Sequence, residues 1–589
     1  MLNQERQVNN MAKRTENRDF LMADFETSTQ EWYEKDGYAR VWLWGLYDPY
    51  NDTFNYGIDL DSFMENTLVF YKNKTPIIYF HNLKFDGSYI VNWLFRNGFA
   101  FDKDLSKAQT FTTAISDMGL WYYIDVCIYV KGKTKRTIRF QDSLKKIPLS
   151  VREMSSAFNL EYSKGDLDYA KYRPIGYKPN KDELSYLYRD CKIPALALLQ
   201  LEAEGFTKMT CASDSFYHWK LSLQSNNAKA RHLKPDVNYR RFFPELSLEV
   251  DDYIRKAYRG GWTYVNPRYQ DKILYNLQVW DINSMYPSKM RNKYLPVGEP
   301  TFFTGKPQPT KYQCYICRVL ISFEIKKDHL PCIQVKNSWC FNPTEYITSS
   351  NNCEIELYLT NIDLNLIFKQ YDVKSIKYLD GYYFRKSKGY FTNFIDENME
   401  IKEHSTGGRR FVAKRRMNSV YGKTGTAPRK REKIPYLDED GVLRFSLGEE
   451  EIDKPQSTAI AVFVTSHARR DIIVDAQNNY ENFVYCDTDS LHMLKNKDGT
   501  NPNLPIHQTH IGYYKKEQDV YKAIFLRSKT YIEQDYNNNT EIKCAGASPE
   551  VKKNMSFDNF KVGGTYTGKL APKQVKGGCI LFNTTFTIK

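Results

Sequence analysis

Asn482-Phe-Val-Tyr-Cys-Asp487-Thr-Asp489-Ser490 runs an apolar tetrapeptide into two aspartates two positions apart. In a strand, or in a tight turn between strands, residues at i and i+2 share one face. Two carboxylates held side by side repel unless a cation lies between them. Hard divalent ions prefer oxygen ligands, so Mg²⁺ is the natural occupant. A polar hairpin tip is the plain alternative, because Asp and Thr are good turn residues.

Upstream, Leu277-Gln-Val-Trp-Asp281-Ile-Asn-Ser-Met-Tyr286-Pro287 is an apolar strand ending in a third carboxylate, with Pro287 marking a break. Asp281 facing Asp487 across a sheet would suit two metals and an in-line phosphoryl displacement. Between these segments lies Arg409-Arg-Phe-Val-Ala-Lys414-Arg-Arg-Met-Asn418-Ser-Val-Tyr421-Gly422. Arg410, Lys414, Asn418 and Tyr421 are spaced four, four and three apart and so fall on one helix face. Two cations, an amide and an aromatic ring suit a triphosphate and a base pair. Gly422 suggests close approach of another backbone. A solvated basic helix is the ordinary alternative.

The N-terminal third carries a second set. Asp24-Phe-Glu26-Thr27 follows the apolar Phe20-Leu-Met-Ala, and its two acids again share a strand face. His81-Asn-Leu-Lys-Phe85-Asp86-Gly87 follows the apolar run Pro76–Phe80. Tyr186 and Asp190 are one helical turn apart within the helical pattern Lys181–Leu201. Four carboxylates can hold two metals for hydrolysis, with Tyr186 orienting the attacking water.

Composition agrees with a polyanionic partner. The 589 residues include 84 Lys and Arg against 70 Asp and Glu, a net charge of +14. Forty-five Tyr, 34 Phe and 9 Trp offer stacking surfaces for unpaired bases. The length predicts several domains. Mean hydropathy is −0.61, no apolar run reaches the roughly 18 residues of a membrane span, and the polar start shows no signal peptide, which predicts a soluble intracellular protein. Eleven scattered cysteines predict a reducing compartment. Cys314 and Cys317 form a C-x-x-C with Cys332, Cys340 and Cys353 downstream, but the second tight pair of a zinc site is missing, and Gln313–Ile321 reads as a strand. The first third alternates strands and helices, 300–390 reads as short strands, 391–423 as helical, and Lys433–Leu447 as a hairpin turning at Asp440-Gly441. The tail 561–589 has five lysines and no acid.

Together, in this order, these motifs resemble family B DNA polymerases, and within them the protein-primed branch, from about Asp24 to the C-terminus. The resemblance implies an α+β multidomain chain: an RNase H-like 3′–5′ exonuclease domain followed by a right-hand polymerase of palm, fingers and thumb with two terminal-protein-region insertions. It places an N-terminal extension at 1–19, the exonuclease at 20–210, palm at 211–292 and 455–544, the insertions at 293–390 and 426–454, fingers at 391–425 and thumb at 545–589. Asp24, Glu26, Asp86 and Asp190 resemble exonuclease metal ligands, with Tyr186 and Lys164 (in Lys164-Gly-Asp-Leu-Asp-Tyr169) as catalytic support. Thr27, Asn82, Phe85, Ser143, Leu144 and Tyr169 resemble single-strand ligands. Tyr258-Arg-Gly260-Gly261 resembles the link between the two activities. Asp281 and Asp489 resemble the polymerase metal carboxylates, Asp487 their neighbour, and the Ile282 carbonyl a further ligand. Tyr286 resembles a steric gate against ribose. Arg410 and Lys414 resemble triphosphate contacts, Asn418 and Tyr421 the frame of the nascent pair, and Lys529-Thr530-Tyr531 and Lys543 the primer grip.

Implied cofactors are Mg²⁺, with Mn²⁺ able to substitute, two ions at each site. Implied partners are template-primer DNA, dNTPs, a priming terminal protein and a single-stranded-DNA-binding protein. The implied setting is a monomer in the cytoplasm of an infected bacterial host, replicating a linear phage or mobile-element genome processively with strand displacement. Arg410 stands where the family pattern has lysine, which changes its hydrogen-bond geometry. The second insertion opens more basic than the pattern, and a short insertion between Glu26 and Asn82 is expected in a surface loop. Extension of ordinary primers, an exonuclease with a non-catalytic DNA-binding C-terminal half, and a structural nucleic-acid-binding protein are the other readings.

Overall fold

The computed structural model describes residues 19–70, 76–132, 134–225, 233–334 and 346–589. Nearly all of the expected N-terminal extension, and Cys340, lie outside them.

The N-terminal part is built on an eight-stranded mixed sheet. Its strand Phe20–Thr27 runs antiparallel to Val41–Asp48 on one side and parallel to Ile77–Phe80 on the other. It is buried along almost its whole length, so it reads as a continuous apolar run broken only by Asp24, Glu26 and Thr27. The strand continues three residues past Asp24, its expected end, because Phe25 and Glu26 still find partners in Trp44 and Leu43. Helix Lys181–Ala203 covers one face and is started by a capping box between Asn180 and Glu183. The span between Glu26 and Asn82 is filled by Gln30–Asp36, Val41–Asp48, Thr53–Gly57 and Leu60–Phe70, with 71–75 outside the described residues.

A seven-stranded sheet forms the second half. Its central strand Leu274–Ile282 lies antiparallel between Ser490–Leu494 and Tyr514–Arg527. Helix Thr458–Gln477 has fourteen buried residues on it and joins the sheet to a four-stranded sheet formed from residues 295–387. The strands there are long rather than short: Tyr371–Ser387 has 17 residues and pairs with both Leu295–Thr304 and Gln313–Ile325. Cys314 and Cys317 sit three apart on Gln313–Ile325, and their side chains enter two different cores, so they cannot ligate one ion.

The basic helical stretch is two helices, Thr392–His404 and Gly407–Thr424. The hairpin after it is longer than its sequence signal, Arg429–Leu437 paired with Leu443–Ile452. The tail makes a last hairpin, Thr565–Val575 with Gly578–Thr587. This hairpin docks on the N-terminal sheet: Val575 and Ile580 share a core with Leu21, Phe80 and Tyr89. Tyr89 donates its hydroxyl to the Cys579 carbonyl at 2.6 Å. A Cβ on Gly578 would lie 2.3 Å from the Tyr89 ring, so only glycine fits this approach. Among the described residues no helix is long and apolar enough to cross a membrane.

Two candidate carboxylate sites

Asp24 and Glu26 project from one face of the buried strand Phe20–Thr27, and helix Lys181–Ala203 brings Asp190 to them. One oxygen from each of the three lies within 4.8 Å of the others, the only such trio of His, Cys, Asp or Glu among the described residues. Asp86, in the first turn of helix Leu83–Arg96, is 5% exposed. Burial, and then the neighbouring charge of Asp190, raises the Asp24 carboxyl to about 7. Burial and the charge of Asp24 push Glu26 and Asp86 well above the usual carboxylate range. One cation answers this cluster: Lys164 Nζ donates to Asp190 Oδ2 at 2.7 Å. Burial works against the charge of that lysine, but Asp190 holds it above its ordinary range. Asp190 Oδ1 is buried with no partner among the described residues. An orphaned carboxylate oxygen among buried acids fits a hard divalent ion, which Asp24, Glu26, Asp86 and Asp190 can hold.

Around this cluster the Tyr169 and Tyr186 hydroxyls are 2.9 Å apart. Asn82 takes a left-handed conformation, φ +75°. Its N–H donates to Asp142 Oδ1 at 3.0 Å, and the same oxygen accepts from the Leu144 N–H at 2.9 Å. Asp142, which the sequence did not single out, thus ties the two expected strand-binding loops together. Thr27, Phe85 and Leu144 are half-buried, while Asn82 and Tyr169 are exposed. Ser143 departs from expectation. It is fully buried, donating to the Phe80 carbonyl at 3.0 Å and facing His81 Nδ1 at 3.0 Å, so its side chain supports the loop from inside.

In the second sheet Asp281 pairs with Ser490, and Ser490 in turn pairs with Asp487. One strand therefore separates Asp281 from Asp487, and the expected face-to-face pair is not formed. Asp489 is the partner instead: burial, then the charge of Asp489, raises the Asp281 carboxyl to about 7. Burial and then Asp487 raise Asp489. Asp487 takes a cation, Lys529 Nζ at 2.6 Å from Oδ1. The Ile282 N–H donates to the Asp489 carbonyl at 2.9 Å, fixing the turn to the central strand. Thr488, at φ +71°, carries about 1–2 kcal/mol of backbone strain, and its N–H donates to the Trp262 carbonyl at 2.9 Å. Facing carboxylates raised by burial fit a divalent ion held by Asp281 and Asp489.

Gly261 lies between this turn and Tyr286. A Cβ there would come to 2.6 Å from Thr488 Cγ2 and 2.9 Å from the Tyr286 hydroxyl. The close approach expected at Gly422 is absent, since nothing lies within 4 Å of the corresponding position. It occurs at Gly425, against Ala461 and Tyr258. Arg469, 4% exposed, holds the Tyr258–Gly261 segment by donating to the Arg259 and Gly260 carbonyls at 2.8 and 2.9 Å. Its other nitrogen donates to Asp363 at 2.8 and 3.0 Å. Sequence reasoning missed both residues, which are 106 positions apart.

Helix Gly407–Thr424 presents Arg410, Lys414 and Asn418 to solvent, with Val412, Ala413, Met417 and Val420 buried behind them. Tyr421 stacks on Tyr286, ring centroids 4.5 Å apart. Lys402, also missed, joins this face: burial and then Lys414 and Arg410 push its ammonium below the ordinary range. Lys515 acts on Lys402 and on Asp281, and Glu517 also acts on Asp281. At the primer-grip motif, Lys529 is exposed, Tyr531 is 5% exposed, and Thr530 is fully buried and cannot touch a ligand. Lys543, beside Tyr531 in the adjoining strand, ion-pairs with Glu541.

Comparison with known proteins gives one consistent answer. The family "DNA polymerase type B, organellar and viral" matches residues 67–181 and 167–505. The DNA polymerase of Bacillus phage B103 is 38% identical over 97% of this chain and 100% of its own. That of Bacillus phage phi29 is 38% identical over 97% and 99%, and that of Streptococcus phage Cp-1 is 35% identical over 97% and 98%. The solved structure of Phi29 DNA polymerase complexed with primer-template DNA and incoming nucleotide substrates matches with a TM-score of 0.89 at 37% identity, over 97% of this chain and 100% of that one. With a catalytic-type turn, a cationic helix face and this likeness over nearly its full length, the chain belongs to the organellar and viral type B DNA polymerases, and among them to the phi29 type.

Proposed function

We propose that this DNA polymerase also degrades DNA from the 3′ end, starts from a terminal protein, and displaces the strand ahead of it. The observation that carries the two-activity reading is the presence of two separate carboxylate sites on two sheets, Asp24–Glu26–Asp190 and Asp281–Asp489. In this reading residues 20–210 form the exonuclease, 211–292 and 455–544 the palm, 391–425 the fingers, 545–589 the thumb, and 293–390 and 426–454 the two insertions. Template-primer DNA and dNTPs are the substrates, as the complex of the phi29 relative supports. The host is a phage-infected bacterium, as the relatives are phage enzymes.

At the polymerase site Lys402, Arg410 and Lys414 bind the triphosphate as charge-assisted donors. Tyr286, backed by Tyr421, occupies the space a ribose 2′-hydroxyl would need. Lys529 holds Asp487 and the primer end. At the other site Asn82, Phe85, Leu144 and Tyr169 grip the frayed strand, Lys164 fixes Asp190, and Tyr186 orients the water. Mg²⁺ or Mn²⁺, two ions at each site, would supply charge neutralisation and an activated oxygen nucleophile.

The hairpin 429–452 reaches toward both the N-terminal sheet and the last hairpin, through the Ser116–Glu432 and Val442–Lys576 bridges. That contact supports a ring around the product and hence processive displacement. Extension of a primer on a circular template, without a helicase, tests this. Products many times the circle length are expected. A stop after one lap would remove the displacement reading.

A further inference from the structure

Away from both carboxylate sites, a cleft of about 360 Å³ opens where the end of helix Met285–Asn292 meets the four-stranded sheet and helix Thr458–Gln477. Lys293, Lys386, Lys388 and Arg470 line it, brought together from three distant parts of the chain. Asp471 is the single carboxylate within ion-pair distance of these cations among the described residues. It is already shared, lying 2.8 Å from Lys289 Nζ, 3.2 Å from Lys293 Nζ and 2.8 Å from Arg470 Nε. Burial would raise its carboxyl, but Lys289 and Arg470 hold it at about 2, so it remains a fixed single charge. Lys386 and Lys388 form no ion pair among the described residues. Their ammonium groups lie 5.7 and 4.6 Å from the Tyr294 ring centre, at the cleft mouth.

Cations gathered this closely repel one another, and one carboxylate does not offset five of them. Burial, together with the nearby Arg470, pushes the Lys293 ammonium below its ordinary range even with Asp471 beside it. A multiply charged anion entering the cleft would relieve that repulsion and accept several charge-assisted hydrogen bonds at once. Lysines act there as point charges, which suits phosphate. A DNA polymerase handles two sources of such groups: the phosphates of a DNA strand and the pyrophosphate that each addition releases. The cleft opens at the far end of the helix Met285–Asn292 that carries Tyr286 in its first turn.

We propose that this cleft is a second phosphate-binding site, separate from the triphosphate cradle of Lys402, Arg410 and Lys414. Calorimetric titration of the full-length protein with inorganic tripolyphosphate tests it. The unmodified protein should bind two equivalents. Lys386→Glu with Lys388→Glu should bind one, while the charge-matched control Lys178→Glu with Lys181→Glu should still bind two. Lys388→Glu alone, at an exposed position, should weaken the second site about tenfold, which keeps the test usable should the double change disturb folding. Primer extension on a short template at low salt should be unchanged in these variants. A 5′-phosphorylated oligonucleotide that binds the double variant more weakly than the control, with a shallower salt dependence, identifies a DNA phosphate as the ligand. Unchanged oligonucleotide binding with loss of the second tripolyphosphate identifies the free anion. A single equivalent bound by the unmodified protein, or two bound by the double variant with unaltered affinity, would overturn the proposal.

Discussion

Glu533 Oε1 lies 2.7 Å from His492 Nδ1, and the two side chains are only 2% and 3% exposed. His492 is two residues beyond Ser490, and its ring is walled in by Tyr485, Phe525 and Tyr531. The pair therefore sits under the Asp487–Ser490 turn. Removing one partner of this hydrogen bond leaves the other buried and unsatisfied, at a cost of about 1–3 kcal/mol. Glu533→Ala and His492→Ala should each lower unfolding stability by about 1–3 kcal/mol, and the double change by less than the sum. Denaturant unfolding of the three variants checks this, and strict additivity would remove the pairing.

Burial, then the charge of Asp190, raises the Asp24 carboxyl from 3.8 to about 7. A carboxyl raised in this way stabilises the fold fully below its unfolded value, and that stability is lost as pH climbs through about 7. The shift corresponds to about 4 kcal/mol at most, shared with its coupled neighbours. In a chelator at pH 8, Asp24→Asn should therefore melt above the unmodified protein, and at pH 4 the two should converge. Added Mg²⁺ should reverse the order at pH 8. Parallel melting curves at both pH values would contradict the assignment.

Asp489→Ala should reduce nucleotide incorporation about 10³-fold and spare degradation of a single strand. Asp24→Ala with Asp86→Ala should do the opposite. Both activities are read from one labelled primer by gel, and a joint loss in either variant would mean that the two sites are not independent.

Tyr286 is held by its stack on Tyr421 and by Gly261 against its hydroxyl. It has little room to turn away from a sugar. Tyr286→Val should raise ribonucleotide incorporation relative to deoxyribonucleotide about 10–100-fold. Unchanged sugar selectivity in single-nucleotide kinetics would end its role as a gate.

The sequence made some of this visible and hid the rest for identifiable reasons. Asp24 with Glu26, and Asp487 with Asp489, could be read because a period of two in an apolar context is a local signal. Arg410, Lys414 and Asn418 could be read because helical spacing sets their common face. Arg469 and Asp363 could not, because their meeting is set by how one helix packs on a distant insertion. Lys402 was hidden because it stands among Glu397, Glu400 and Glu403 on a separate helix, and only packing brings it beside Arg410 and Lys414. Gly422 was misjudged because a helix-terminal glycine signals close approach only when something lies opposite it. Ser143 and Thr530 belong to recognisable motifs, yet burial turns their side chains away from any ligand.

The last hairpin gives the molecule an order of assembly. Val575 and Ile580 complete the core that Leu21, Phe80 and Tyr89 begin, so the first sheet lacks part of its own interior until a hairpin some 490 positions further along is made. Until then it exposes an apolar face, and its closure is a contact of very long sequence separation. Chains interrupted before Val575 should accumulate as aggregation-prone intermediates rather than as active shorter enzymes. In a protein built this way, the sheet made first waits on a hairpin made much later.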